Sequence, residues 1–163
     1  MKNMSWLVLI LIFCTACSSE SEDRLELDVD EGSFKAIMLS EVNELRRRGC
    51  RCGETQMPPV EALQWNQLLT RAAARHAEDM YSNDFFEHRG SDGTDSSDRV
   101  SEAGYRWRAV GENIAWGYDG VRTVVEGWRD SPGHCRNIMS PNFTEIGAAR
   151  RGTYWVQTFG HSR

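Results

Sequence analysis

Apolar side chains recur every three or four positions in several stretches of the chain, a spacing typical of amphipathic helices. These stripes predict helices over residues 33–48, 60–82 and 121–129. A shorter helix over residues 97–103 is predicted from the capping side chains before it and the glycine after it. The basic residues 46–48 are expected to be solvated, since positive charge is favourable near a helix C-terminus.

Strands are predicted in two later regions. The segment VGENIAWG, residues 110–117, is short and rich in glycine, which favours a strand. The tail after residue 143 predicts two strands joined by a hairpin turn at Arg151-Gly152. Helices that come first and an antiparallel pair that comes last place the chain in the α+β class.

Three ring-bearing residues are interpreted as core rather than as site residues. His76 lies on the apolar stripe of the second helix, where a lone histidine is usually a hydrogen-bonded core residue. Trp107 and Trp116 flank the GEN segment, and we expect them to pack in the core. The alternative for the tryptophans is contact with an apolar or sugar ligand in a cleft.

The first 16 residues have the features of an export signal. Lys2 precedes an apolar run over residues 4–13, which falls short of the ~20 residues of a membrane-spanning helix. The following Thr15-Ala16-Cys17 resembles the lipobox of bacterial lipoproteins, in which Cys17 would be lipidated and anchor the protein to a membrane. The alternative is a soluble secreted protein, and both interpretations place the domain outside the cytoplasm.

Charge divides the rest of the chain. The protein has 163 residues and a net charge of −5, yet residues 18–32 alone carry seven acids and one arginine. Residues 17–32 therefore predict an acidic, solvated tether, followed by a single domain over residues 33–163. That domain has 17 basic and 17 acidic residues, without the basic excess of a nucleic-acid-binding protein.

Three cysteines, Cys50, Cys52 and Cys135, belong to the predicted domain. In an oxidising compartment the default use of paired cysteines is a disulfide. A bridge between Cys50 and Cys52 would be a strained small ring, so one of the two is expected to pair with Cys135 and the other to remain a thiol. The alternative is a metal site of three thiolates, which lacks the spacing of structural zinc sites.

Candidate chemistry lies in four polar segments, which contain His88, Glu112, His134 and Glu145. Two imidazoles and a carboxylate are the ligand set of an open zinc site, with water in the fourth position. The same groups could act as acid, base and orienting residue without a metal. The alternative is that they cap helices and loops, since their separations impose no local geometry.

The order of several motifs resembles the bacterial branch of the CAP superfamily (cysteine-rich secretory proteins, antigen 5 and pathogenesis-related proteins), also called the SCP domain. The resemblance runs from Asn43 to Phe159, and the most specific motifs are GENIAWG and SPGHCRNIM, in that order. It implies an α-β-α sandwich with a small antiparallel sheet between helical layers. It also implies a cleft that holds a divalent cation such as zinc in several members.

By motif match, the resemblance assigns His88, Glu112 and His134 to the cleft as metal-binding residues. In the eukaryotic branch a second glutamate lies a few residues after a helical tryptophan. Here that tryptophan is Trp128, and Arg129-Asp130-Ser131 follow it without a glutamate. The cleft is therefore expected to be a triad. The resemblance also implies a disulfide, Cys52–Cys135, with Cys50 left as an extra thiol.

The resemblance leaves three functions open. The leading one is an exported, lipid-anchored domain at the cell envelope that binds a lipid, glycan or peptide and is not an enzyme. No serine or cysteine is marked as a nucleophile beside either histidine. The alternative is a zinc-dependent hydrolase or peptidase that uses the same cleft. A third interpretation is an adhesion module in which the cleft is incidental.

Overall fold

The computed structural model describes the backbone of residues 20–163 and the side chains from Gly32 onward. The predicted export signal and lipidated Cys17 lie outside the described residues. Within residues 20–163, no helix is both long and apolar enough to cross a membrane. The helices and strands have the following bounds: α1 Glu20–Arg48, β1 Cys50–Cys52, β2 Thr55–Met57, β3 Gln64–Trp65, α2 Gln67–Asn83, α3 Ser96–Glu102, β4 Trp107–Trp116, α4 Val121–Asp130, α5 Pro132–Ile138, β5 Glu145–Arg151 and β6 Tyr154–Ser162.

A four-stranded sheet lies at the centre of the domain, in the order β3-β5-β6-β4. β5 and β6 form the predicted antiparallel hairpin, with the turn at Gly152 in a left-handed conformation. β4 pairs antiparallel with β6, and the two-residue β3 pairs parallel with β5. The expectation of an antiparallel sheet therefore holds for three strands, and β3 is the exception.

Helices cover both faces of the sheet, which confirms the α-β-α sandwich and the α+β class. Side chains alternate between the faces along β6: Trp155 packs with α1, α4 and α5, whereas Val156 packs with α2. The helix α2 approaches β5 closely at Gly147, where a side-chain carbon would lie 2.1 Å from the backbone nitrogen of Thr70. The larger of the two apolar layers includes Met38, Val42, Val124, Trp128, Ile138 and Phe159.

Two helix starts differ from prediction. The helix α1 begins at Glu20 and runs through most of the segment predicted as an acidic tether. The helix α2 begins at Gln67 rather than at residue 60, because Asn66 caps it by accepting from the amides of Leu68 and Leu69. The residues before Asn66 are extended and supply β3.

Two further predictions were wrong. The SPG residues 131–133 are expected from the sequence only to end the preceding helix, but Pro132 lies in the first turn of a separate helix, α5. Arg46 was expected to be solvated, but it is 1% exposed. Its guanidinium donates to four backbone carbonyls, those of Glu61, Ile138, Ser140 and Phe143. Burial lowers the pKa of Arg46 to about 10.

Candidate functional site

The candidate site is built on β4, an edge strand of the sheet in the described part of the chain. Neighbouring side chains of a strand point to opposite faces, so Glu112 and Asn113 face different helical layers. Glu112 contacts Arg99 of α3. Asn113 donates to the side chain of Gln157 and to the backbone carbonyl of His134 in α5. The GEN segment therefore contacts both helical layers at one edge of the sheet.

Glu112 orients His88. The Nδ1 atom of His88 lies 2.9 Å from Oε1 of Glu112, and because an ionised carboxylate only accepts, Nδ1 must carry the donated proton. A neutral ring then has its free lone pair on Nε2. The His88 side chain is 60% exposed, whereas that of Glu112 is 4% exposed. A buried carboxylate behind an exposed imidazole is the arrangement that fixes a metal-binding histidine.

Arg99 is a site residue that the sequence did not reveal. It is buried, and its guanidinium donates to Oε2 of Glu112 at 2.8 Å. It also donates to the backbone carbonyls of His88 and Thr94, on the loop that carries the histidine. An arginine in a seven-residue helix is usually solvated, so no pattern marked this one. Arg99 therefore positions both Glu112 and the His88 loop.

His134 lies in the other helical layer, where its backbone carbonyl accepts from Asn113. It is half-buried on α5, and Asn137 of the same helix donates to the backbone carbonyl of Glu112 and to the side chain of Asn113. Burial lowers the pKa of His134, and the nearby positive charge of His88 lowers it further. A neutral imidazole is the form that binds a metal.

The three predicted ligands do not form one tight cluster. His88 and Glu112 are in contact, but both carboxylate oxygens of Glu112 are engaged by protein donors. Among residues 32–163, only Cys50, Cys52 and Cys135 have three ligand atoms within 4.8 Å of one another. Glu112 is therefore engaged in orienting His88, and metal binding by the two imidazoles remains a prediction.

An open depression of about 510 Å³ borders His88 and Glu112. Its floor includes the first turn of α3, where Asp95 caps the helix and Asp98 completes a capping box. Two carboxylates and the guanidinium of Arg89 lie beside the exposed imidazole, so this surface is suited to a polar ligand. Gly93 and Ser96 complete the lining.

His76 lies directly behind the group around Glu112, with its Nε2 3.9 Å from Oε1 of Glu112. His76 is fully buried, and its Nε2 contacts the carbonyl of Glu87, which confirms the interpretation as a core histidine. Burial lowers the pKa of His76. Glu145 lies in β5, where Tyr105 and Asn66 donate to its carboxylate, so it is not part of the group around Glu112.

The two tryptophans that flank the GEN segment differ in exposure. Trp107 is half-buried and donates to the hydroxyl of Ser101. Trp116 is 61% exposed, so the expectation of core packing was wrong for this residue. The ring of Trp116 lies 6.4 Å from that of Tyr154 at the end of the sheet.

The cysteines form the expected disulfide, Cys52–Cys135, and Cys50 is a free thiol. The bond joins the hairpin β1–β2 to α5 across 83 positions of sequence. Cys135 follows His134 directly, so this crosslink anchors the helix that carries the second histidine.

Both the fold and the motifs are those of a known family. The chain matches the model of the CAP, or cysteine-rich secretory protein, family over residues 39–159, and it belongs to this family. Among relatives, it is 33% identical to the uncharacterized Bacillus subtilis protein YkwD over 108 residues, which are 65% of this chain and 42% of YkwD. It is also 33% identical over 97 residues to the uncharacterized membrane protein YlbC of that bacterium, covering 60% of this chain and 28% of YlbC. The chain thus spans less than half of either relative.

Solved structures of similar proteins have the same fold as this chain. An extracellular protein containing an SCP domain from Bacillus anthracis superposes with a TM-score of 0.70 and 27% identity, over 81% of this chain and 41% of that one. An outer surface protein of Borrelia burgdorferi superposes with a TM-score of 0.69 and 23% identity, over 80% and 94% of the two chains. At 23% identity, the similarity to the Borrelia protein shows a shared fold alone.

Proposed function

We propose that this protein is exported to the cell envelope, where its CAP domain acts by binding a ligand at the edge of β4. In this proposal His88 and His134 hold a divalent metal ion such as zinc, and the ligand is a lipid, glycan or peptide. The main support is the buried Glu112–His88 pair, which leaves Nε2 of an exposed imidazole available for a metal. A bound metal would supply a Lewis acid or a bridging charge.

Location outside the cytoplasm is supported by the N-terminal pattern and by the relatives. The Bacillus anthracis neighbour is described as extracellular, and the Borrelia neighbour as an outer surface protein. We propose that lipidation at Cys17 anchors the chain. A Cys17→Ala variant expressed in a bacterial host tests this: the wild type should partition into the detergent phase and the variant should not. A variant of the other cysteine in the N-terminal segment, Cys14→Ala, is the matched control and should remain anchored.

Metal binding is tested by zinc content. The wild-type chain, purified after export, should bind about one zinc ion per domain. The His88→Ala/His134→Ala double variant should bind none, while His161→Ala is the matched control and should bind as the wild type does. Equal zinc content in the double variant and the wild type, at unchanged folding, would rule out this metal site.

The hydrolase alternative uses the same site, and measurement of substrate turnover distinguishes it from a binding function. Peptide, ester and peptidoglycan substrates are incubated with the zinc-loaded protein and with the double variant. Zinc binding without turnover supports a binding function. Turnover that the double variant loses, with its fold retained, would replace the binding function with hydrolysis and assign Glu112 as a candidate base.

A further inference from the structure

Three sulfur atoms meet where β1 packs against α5, outside the site around His88. Cys52 and Cys135 form the disulfide, and Sγ of Cys50 lies 3.5 Å from Sγ of Cys135 and 4.0 Å from Sγ of Cys52. A free thiol this close to a disulfide can exchange with it once its sulfur is brought into line with the S–S bond.

The strand geometry explains this meeting. Cys50 and Cys52 are separated by one residue in β1, and side chains two positions apart point to the same face of a strand. Pairing with β2 keeps this register, since Cys50 lies opposite Met57 and Cys52 opposite Thr55. Both cysteines of the strand therefore face Cys135.

We propose that this cluster is a thiol–disulfide exchange site in which Cys50 and Cys52 alternate as the partner of Cys135. The Cys50 thiolate attacks Sγ of Cys135, a bond between these sulfurs forms, and the Cys52–Cys135 bond breaks. Cys52 leaves as a thiolate and takes up the proton that Cys50 lost. The number of disulfides and of thiols is unchanged, so no external oxidant or reductant is consumed.

The position of the Cys50 sulfur relative to the S–S bond determines how the side chain must move before exchange. Its distances to the two bonded sulfurs are similar, so Cys50 lies beside the S–S bond rather than in line with it. Attack on Cys135 therefore needs a rotation of the Cys50 side chain, which is only half-buried. Burial raises the pKa of the Cys50 thiol, and the positive charge of Arg129 opposes that rise. Mildly alkaline solution should therefore accelerate exchange.

Exchange would alter two properties of the protein. Cys50 is half-buried and Cys52 is 1% exposed, so the thiol is accessible to solvent in one pairing and enclosed in the other. Moving the bond from Cys52 to Cys50 also changes which end of β1 anchors α5. Because His134 precedes Cys135 on that helix, the pairing is coupled to the position of this histidine.

Arg51 makes the two pairings easy to distinguish. Trypsin cleaves after this residue and places Cys50 in peptide 49–51 and Cys52 in peptide 52–71, while Cys135 lies in peptide 130–136. The exported full-length chain is incubated at about pH 8.5, near the ordinary pKa of a thiol. It is then blocked with N-ethylmaleimide, digested and analysed by mass spectrometry without reduction.

We expect the 49–51/130–136 crosslink to accumulate beside the 52–71/130–136 crosslink, and not to form in protein blocked before incubation. Absence of the first crosslink after a day, in folded and unblocked protein, would overturn the proposal. A Cys52→Ala variant gives a second test, since Cys50 should then form the bond with Cys135 in most molecules. A folded Cys52→Ala chain in which Cys135 remains open to alkylation would also overturn it.

Discussion

Arg99 and Glu112 form an ion pair inside the domain, with Nη2 and Oε2 2.8 Å apart and the two side chains only 2% and 4% exposed. The pair joins α3 to β4, and through the hydrogen bonds of Arg99 to backbone carbonyls it also fixes the loop that carries His88. The orientation of His88, an exposed candidate metal ligand, thus depends on the buried ion pair of Arg99 and Glu112.

Replacing Arg99 by methionine should lower the free energy of unfolding by about 3–5 kcal/mol, because Glu112 would keep a buried charge without its partner. Urea denaturation measures this loss. The matched control is Arg75→Met, which removes an exposed arginine that pairs with Asp92 and Glu102 and should change stability by no more than about 1 kcal/mol. Equal losses for the two variants would contradict the buried pair.

Replacing Glu112 by glutamine should weaken zinc binding by roughly 10–100-fold, the usual effect of losing an outer carboxylate behind a metal-bound histidine. The amide keeps the size of the side chain but removes the charge that holds Nδ1 of His88. Competition with a coloured chelator measures the affinity, and circular dichroism verifies the fold. Unchanged affinity in the folded variant would mean that Glu112 does not orient the ligand.

His76 should make the protein less stable in mild acid. Burial lowers its pKa in the folded state, with a smaller contribution from the positive charge of Arg99, while the negative charge of Glu112 opposes the shift. Below about pH 6.5 the unfolded chain binds a proton that the folded state resists, so stability falls as the pH falls. A His76→Gln variant should show a flatter dependence between about pH 8 and pH 5. Parallel curves would exclude His76 as the cause.

Arg46→Met should cost at least about 3 kcal/mol of stability, since four buried or partly buried carbonyls lose their donor. Its neighbour Arg47 offers the matched control, because that side chain is exposed and pairs only with Glu44 among the described residues. Arg47→Met should stay within about 0.5 kcal/mol of the wild type. Thermal unfolding of the two variants makes the comparison.

Gly147→Ala should disrupt packing between β5 and α2, because the added carbon would overlap the backbone of Thr70 and Leu69. Overpacking that the backbone must absorb costs about 1–3 kcal/mol or more. Gly133→Ala is the control, since nothing lies within 4 Å of an added carbon at that position in α5. A neutral result for Gly147→Ala would show that α2 can move away from the sheet.

The elements predicted correctly are those whose signal is local. The apolar stripe of α4, the capping residues before α3 and the hairpin turn at Gly152 all depend on neighbouring residues. The predicted start of α2 was wrong because the residues just before Asn66 form β3. That strand pairs with β5, which comes much later in the chain. A stripe of apolar residues does not contain that information.

The site was predictable only as far as motifs extend. Family resemblance assigned His88, Glu112 and His134 to a candidate site and implied the disulfide that the structure contains, whereas spacing alone left the three site residues as scattered polar positions. Arg99 and the buried Arg46 were missed for a common reason: a guanidinium becomes a core group only when carbonyls or carboxylates from distant segments converge on it. Such partners are fixed by the fold and leave no periodic trace in the sequence.

The opposite orientation of Glu112 and Asn113 has a mechanical consequence. One neighbour reaches His88 on one side of the sandwich, and the other reaches the backbone of His134 on the opposite side. In the proposed function, a metal ion bound by both imidazoles would therefore bridge the two helical layers at the edge strand of the sheet. By linkage it would resist separation of the helical layers, and any force that pried them apart would release it.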